Sequence, residues 1–211
     1  MLSFNPANCD LKQNHKLLTG IVVPRPIALV STMSRNGVVN LAPFSAFCQS
    51  GVNPPAVLFC PALRVRASSE PSSQSDLRKD TLRNVEETGE FVVNVVNEAI
   101  AAAVNDTAAE VPPEVDEFQL AALTVIASQV VRPPRVAESS AQMECKLLQV
   151  IYVSRAPGAG VIVLGEVVRF HVREDLFEDF RIDPAGLDAV GRMDGNTWVR
   201  TRDRIELIRP K

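Results

Sequence analysis

Apolar and β-branched residues fall in short runs separated by turn residues, which is typical of an antiparallel β-protein. The apolar segment 21–33 is broken by Pro24 and Pro26. Because proline lacks the amide donor, we expect a barrel entry or an edge strand there. Asn36-Gly37 predicts a hairpin turn, since both residues tolerate a positive φ. The strands expected next cover residues 38–41 and 56–60.

One helix is predicted together with both of its ends. Asp80 is a natural N-cap, residues 81–88 fill about two turns, and Gly89 is a natural C-terminal stop. Leu82 and Val85 would face the core. The elements predicted after it are a buried strand over 91–96, helices over 98–104 and 114–123, and paired long strands over 143–153 and 161–172. In the helix over 114–123, Leu120 and Leu123 would lie on one face.

Strands dominate both halves, and the helices are short and inserted, so the predicted fold class is mainly β, an antiparallel barrel with short helical insertions. The serine-rich segment 67–76 predicts a loop. We see no repeat and no second hydrophobic core. Residues 1–211 are therefore expected to form a single domain, with a barrel core over about 20–210.

Composition narrows the class of protein. Hydrophobic residues make up 46% of the chain and charged residues 22%, and the net charge of −3 argues against a nucleic-acid binder. No apolar run is long enough to span a bilayer, and the N-terminus does not resemble a signal peptide. We therefore expect no membrane partner and a cytoplasmic location.

Several familiar sites are missing from the sequence. It has no G-x-G-x-x-G, no Walker loop and no G-x-S-x-G elbow. His15 and His171 are its two histidines, and none of its four cysteines forms a C-x-x-C pair. We predict no metal site and assign no catalytic nucleophile.

The segment 40–45 is the first candidate site. Its candidate residues are Asn40, Leu41, Ala42, Pro43 and Ser45, most of them small or polar. Because proline cannot donate a ladder hydrogen bond, neighbouring backbone groups are available to a ligand. The alternative is a strand bulge without a ligand.

The other two candidates lie at residues 75–81 and 191–201. The first of these is the start of a predicted helix and includes Lys79, Asp80 and Thr81. The free amides at this helix start could hold a phosphomonoester. The alternative is that Asp80 caps the helix and Lys79 is solvated. Arg192 and Trp198 lie in a glycine-bracketed segment that could cover a planar anion, unless it is a surface turn.

These segments, in this order, resemble the flavin reductase-like FMN-binding split-barrel family, with the flavoredoxin-type branch closest. The resemblance runs from about residue 20 to 210. The matching strings cover residues 24–32 (PRPIALVST), 40–45 (NLAPFS) followed by Pro54-Pro55, 79–84 (KDTLRN) with 91–94 (FVVN), 165–167 (GEV) and 191–201.

The resemblance implies a split β-barrel that works as a homodimer, with FMN near the subunit interface. It implies that residues 40–45 line the isoalloxazine ring and that Lys79, Asp80 and Thr81 lie at the phosphate end. Ser31, Thr32 and Arg192 are further implied contacts. Trp198 departs from the tyrosine expected in many relatives, which replaces a hydroxyl with an indole N–H.

The chemistry implied is that of the cofactor: FMN accepts hydride from NADH or NADPH, and the protein binds and orients it. The resemblance allows a monooxygenase component as a partner. Two alternatives stay open, an FMN-binding electron carrier without NAD(P)H turnover and a non-catalytic barrel that binds a partner or another cofactor such as heme.

Overall fold

The computed structural model describes residues 1–65 and 77–210, so the loop predicted over 67–76 lies outside the described residues. No helix within them is both long and apolar enough to cross a membrane. The helices are α1 (Leu11–Ile21), α2 (Asp80–Thr88), α3 (Ala101–Asp106), α4 (Glu117–Leu120) and α5 (Pro184–Leu187), with short 3-10 turns at Pro6–Asn8, Glu98–Ile100 and Glu174–Leu176. The strands are β1 (Arg25–Pro26), β2 (Ala28–Met33), β3 (Val39–Phe44), β4 (Phe47–Val52), β5 (Pro55–Phe59), β6 (Glu90–Val95), β7 (Val125–Ile126), β8 (Arg135–Val136), β9 (Ala141–Tyr152), β10 (Val161–Val172), β11 (Phe177–Glu178), β12 (Arg181–Ile182), β13 (Val190–Arg192) and β14 (Trp198–Arg200).

The main sheet has seven antiparallel strands in the order β3-β2-β6-β9-β10-β5-β4. Strands β3 and β4 follow each other in sequence, yet they lie at opposite edges. Ser45 and Ala46 alone separate them, and three residue steps span at most about 11 Å. The sheet must therefore curl until its edges approach at this link, which we call the corner. The two edges share no ladder, so the barrel is split there.

Two contacts hold the corner in place. The carbonyl oxygen of Ala46 accepts a hydrogen bond from the amide of Cys60 at 2.8 Å. The rings of Phe44 and Phe59 lie with their centroids 5.0 Å apart. Both contacts join the corner to the far side of the sheet, at β5.

Buried side chains form two clusters, where the sequence predicts one core. Because strand side chains alternate, Ala28 and Val30 of β2 face the barrel interior, with Phe59 and Phe91. The neighbouring Leu29 faces a second cluster that includes residues of α3, α4 and β13. The two clusters are layers on opposite faces of one sheet.

Helix α1 is absent from the sequence prediction, which placed Ile21 in a strand. No residue of α1 is buried within this chain, although Leu11, Leu18 and Ile21 form an apolar stripe along it. Its start does carry a signal, a capping box in which Asp10 and Gln13 bond each other's backbone amides. The segment predicted as one strand divides into β1 and β2, which belong to different sheets.

The helix predicted over 114–123 is also wrong in extent, since α4 is a single turn. Asp116 caps its start, and Ala122 has a φ of 51°, which ends the helical path. Leu120 is 49% exposed whereas Leu123 is buried, so the two leucines do not share a buried face. Phe118 fills the core instead. The hairpin turn, α2, β6 and the long pair β9–β10 are confirmed.

A buried carboxylate on β9 organises the loop that follows β7. Glu144 is completely buried, and its oxygens accept hydrogen bonds from the amides of Gln129, Val130 and Val131 at 2.7, 2.6 and 3.0 Å. His171 Nε2 lies 2.6 Å from the same group. Burial acts to raise the pKa of Glu144, but these hydrogen bonds outweigh it and lower the pKa.

Replacement of Gly165 by alanine should destabilise the barrel. A Cβ there would lie 2.3 Å from Cζ of the buried Phe91, so the ring must move. We expect a loss of about 1–3 kcal/mol in the free energy of unfolding, measured by urea denaturation. Gly160→Ala is the control, because its Cβ would meet nothing within 4 Å. Equal stability of the two variants would contradict the packing described.

Replacement of Glu144 by glutamine should lower the free energy of unfolding by an amount that depends on pH. Because the folded pKa lies below the ordinary 4.5, the carboxylate stabilises the fold above that pH and loses this effect as the pH falls below it. At neutral pH the free energy of unfolding, measured by urea denaturation, should therefore be about 1–3 kcal/mol higher for wild type than for Glu144→Gln. This difference in stability should narrow in acid. The exposed Glu178→Gln is the control. A gap that stays constant with pH would rule out this role.

Candidate functional site

Two cavities adjoin at the corner. The larger, about 480 Å³, lies between α1, the corner and the β13–β14 hairpin, and we call it the hairpin cleft. The smaller, about 280 Å³, lies between β3, the start of α2 and the segment after α3, and we call it the helix pocket. Pro43 and Ala108 line both, so the cavities share a wall on β3.

Most of the predicted site residues line these two cavities. The helix pocket is lined by Asn40, Ala42, Pro43, Lys79, Asp80 and Thr81. The hairpin cleft is lined by Pro43, Ser45, Arg192 and Trp198. Segments far apart in the sequence therefore meet at the corner.

Three predicted residues lie outside both cavities. Ser31, Thr32 and Leu41 are fully buried. The Ser31 hydroxyl donates to the carbonyl of Pro134, and the Thr32 hydroxyl accepts from the Asn84 amide at 3.0 Å. Both hydroxyls serve the fold, and a cofactor contact by either one stays a prediction.

The start of α2 differs from the prediction by one residue. Lys79 is the N-cap and Asp80 is the first helical residue, so Asp80 is not the cap. Its Oδ2 accepts from Arg64 at 2.9 Å, and its Oδ1 lies 3.0 Å from Arg83 Nη1 without hydrogen-bond geometry. An acidic first turn still suits the helix dipole. In the described part of the chain, no side chain caps the first-turn amides of α2.

Thr81 and Asn40 join α2 to β3. The Thr81 hydroxyl accepts a hydrogen bond from Asn40 Nδ2 at 2.9 Å, and both side chains are buried. Because the hydroxyl is the acceptor here, its own proton is available to another acceptor in the helix pocket. Lys79 Nζ lies 3.9 Å from Glu110, an exposed and weak pair that leaves the ammonium adaptable.

Glu117, which lines the helix pocket, is not among the site residues predicted from the sequence. Its Oε2 accepts the amide of Leu41 at 3.0 Å and thereby anchors β3. Burial raises its pKa, the nearby carboxylates of Asp80 and Asp116 raise it further, and hydrogen bonds from backbone amides partly oppose them. The sequence offers no signal for this role, because an acidic residue near a helix start is ordinarily a solvated one.

Arg25 also escaped the list of site residues, although it lies within a matching string. Its Nη1 donates to the carbonyls of Thr19 and Val22, both at 2.6 Å, and its Nη2 donates to that of Met193 at 2.8 Å. Its Nε reaches Ser45 Oγ at 3.4 Å. Arg25 thus ties α1, the hairpin and the corner together. Burial lowers its pKa, and the charge of Arg192 lowers it further.

Arg192 and Trp198 form the far wall of the hairpin cleft. They are cross-strand partners on β13 and β14, and the guanidinium lies 5.5 Å from the Trp198 ring centroid. Arg192 Nη2 also donates to the carbonyl of Gly195. The structure therefore brings together the two residues predicted to cover a planar anion.

Comparison with known proteins gives consistent matches. The chain is 40% identical to nitrilotriacetate monooxygenase component B from Bacillus cereus, with a TM-score of 0.88 over 98% of both chains. It is 30% identical to the 2-nitrobenzoate 2-nitroreductase NbaA of Pseudomonas fluorescens, with a TM-score of 0.86 over 99% of this chain and 96% of that one. A Shewanella frigidimarina protein with a split barrel domain is 21% identical, with a TM-score of 0.79 and coverage of 97% and 96%.

The last of these likenesses concerns the fold alone and confirms the split barrel predicted from the sequence. The family described as the flavin reductase like domain matches residues 20–191. That segment contains the corner, α2, the long strand pair and the first two residues of β13. By this match and by the relatives above, the chain belongs to the flavin reductase-like family.

Proposed function

We propose that this chain binds FMN at the corner and is an NAD(P)H:flavin oxidoreductase of the cytoplasm. The observation that carries the proposal is that two cavities meet at Pro43, so that two molecules can lie side by side against β3. When bound, FMN accepts a hydride from NADH or NADPH and leaves NAD⁺ or NADP⁺. The protein binds and orients both molecules, and no side-chain acid or base is needed for that transfer.

The helix pocket fits a phosphomonoester. The first-turn amides of α2, the Thr81 hydroxyl and the Lys79 ammonium are donors that a phosphate accepts from. Two carboxylates of this pocket are already engaged within the fold, since Asp80 is paired with Arg64 and Glu117 accepts a hydrogen bond from the Leu41 amide. A terminal phosphate at this end supports FMN over riboflavin. The lack of a dinucleotide fingerprint gives no support to FAD.

The corner fits the flavin ring. β3 is an edge strand, so the backbone groups on its outer side are not used by the sheet, apart from the Leu41 amide that Glu117 binds. The small Ala42 and the amide-free Pro43 leave that backbone accessible. Asn40 and Ser45 supply polar groups at either end of this stretch.

We further propose a homodimer. Leu11, Leu18, Ile21 and Val22, in and next to α1, are 64, 65, 77 and 56% exposed. A surface helix ordinarily buries its apolar stripe, and a large exposed stripe marks an interface. A second copy of the chain is the partner that we propose for this stripe. The name of the Bacillus cereus relative adds a monooxygenase as a candidate recipient of the reduced flavin.

Replacement of Lys79 by alanine should weaken FMN binding about tenfold to a hundredfold, because a charge-assisted hydrogen bond is worth about 1.5–3 kcal/mol. Thr81→Ala removes a neutral donor and should cost less. Riboflavin, which has no phosphate, should bind both variants as it binds wild type. Titration of the apoprotein with each flavin measures these affinities.

The exposed Lys146→Ala is the matched control and should bind FMN as wild type does. Anaerobic stopped-flow mixing of the FMN-loaded protein with NADH or NADPH should bleach the flavin absorbance. FMN binding without bleaching would identify an electron carrier. If FMN and riboflavin bind equally, the phosphate site in the helix pocket is ruled out.

The double variant Leu18→Glu/Ile21→Glu should be monomeric. Glutamate is a good helix former, so α1 should persist while its apolar stripe gains charge. Light scattering should report a 23.0 kDa species for the variant and about twice that mass for wild type. Lys146→Glu, on an exposed face of β9, should stay dimeric. A flavin-bound wild-type monomer at micromolar concentration would overturn the dimer.

A further inference from the structure

We propose that the hairpin cleft is an anion site, and that the cationic face of α1 recognises the phosphates of the pyridine dinucleotide that donates the hydride. The identity of that ligand rests on the proposed function. The anion site itself rests on the side chains that line the cleft and stands without it.

One face of α1 is turned to the cleft. Lys12, His15, Lys16 and Thr19 follow the spacing i, i+3, i+4, i+7, and all four line the cleft. Across the described ranges, neither lysine has a carboxylate within ion-pairing distance. Leu18 and Ile21 of the apolar stripe lie about a third of a turn or more round the helix from Lys12 and Lys16, so a partner subunit on these two residues leaves the lysines facing the cleft.

The wall of the cleft opposite α1 brings two positive charges together, which destabilises the fold. Arg25 and Arg192 are direct cross-strand partners of β1 and β13, a position where like charges are destabilising. Asp194 provides a partial offset. Most N–H groups of the Arg25 guanidinium donate to backbone carbonyls. Arg192 donates one N–H to the carbonyl of Gly195, and its other N–H groups are available to a ligand. An anion in the cleft would relieve this repulsion.

The charge in the cleft indicates the class of anion. Lys12, Lys16, Arg25 and Arg192 face it with Asp194 as the opposing carboxylate, a local excess of positive charge in a chain whose net charge is −3. A monocarboxylate would neutralise one of these cations. A diphosphate, with or without a further phosphomonoester, matches the excess better.

The position of the cleft indicates the donor of the hydride. It shares Pro43 with the helix pocket, so a molecule held in it lies beside the flavin proposed there. Trp198 adds an aromatic surface next to Arg192. A dinucleotide with its phosphates toward α1 could therefore present its nicotinamide at the corner.

Trp198 allows a direct test, because it is the one tryptophan of the chain and lines the cleft. The apoprotein is titrated with inorganic pyrophosphate, NADP⁺ and benzoate at constant ionic strength while tryptophan fluorescence is recorded. We expect saturable changes with pyrophosphate and NADP⁺, weaker at higher salt, and none with benzoate at equal concentration. If benzoate binds more tightly than pyrophosphate and NADP⁺, the cleft is a site for an aromatic carboxylate and the proposal is overturned.

The double variant Lys12→Ala/Lys16→Ala should weaken pyrophosphate and NADP⁺ at least tenfold, and Lys146→Ala should leave both unchanged. Because α1 has no buried residue, the variant should melt as wild type does, which thermal denaturation checks. Wild-type affinity in the double variant would overturn the proposal.

Saturation with FMN should leave pyrophosphate binding intact, since we assign the flavin phosphate to the helix pocket. Competition between the two would overturn the proposal by making the cleft the seat of the flavin phosphate. Pyrophosphate binding in a protein that fails to bind FMN would refute the proposed function and keep the anion site. FMN reduction without anion binding in the cleft would refute the anion site and keep the proposed function.

Discussion

The short link between β3 and β4 is the constraint on which the rest of the structure depends. Two residues connect strands that lie at opposite edges of a seven-stranded sheet, so the sheet must curl until those edges approach. The same link leaves β3 as an unpaired edge next to the start of α2. The barrel, its split and the two cavities are consequences of one short connection.

Charge is divided between the cavities in a way that suits two different molecules. In the helix pocket, Asp80 is paired with Arg64 and Glu117 is bound to the Leu41 amide, and the donors come from a helix start and a hydroxyl. In the hairpin cleft, ammonium and guanidinium groups outnumber the carboxylate. Arg25 holds the walls of the hairpin cleft together, because its hydrogen bonds reach Thr19, Met193 and Ser45.

Sequence patterns predicted the elements whose stability is local or whose faces are buried. Gly89 does end α2 with a φ of 71°, and Leu82 and Val85 are buried as their spacing indicates. Prediction was wrong where the deciding contact is distant. The sequence predicts Asp80 as the cap, yet Asp80 is the first helical residue and Arg64 holds its carboxylate. Helix α1, which was missed despite its capping box, buries no residue within this chain.

By itself, the sequence determined the mainly β class, the lack of nucleotide and nucleophile motifs, and the family, since each depends on residue types in chain order. Tertiary structure alone decided which residues meet. It buried Ser31 and Thr32, whose hydroxyls bond Pro134 and Asn84, and set Glu117 against the backbone of β3. The reason is that curling of the sheet is a long-range event, and periodicity along a chain carries no information about which edges a curl will bring together.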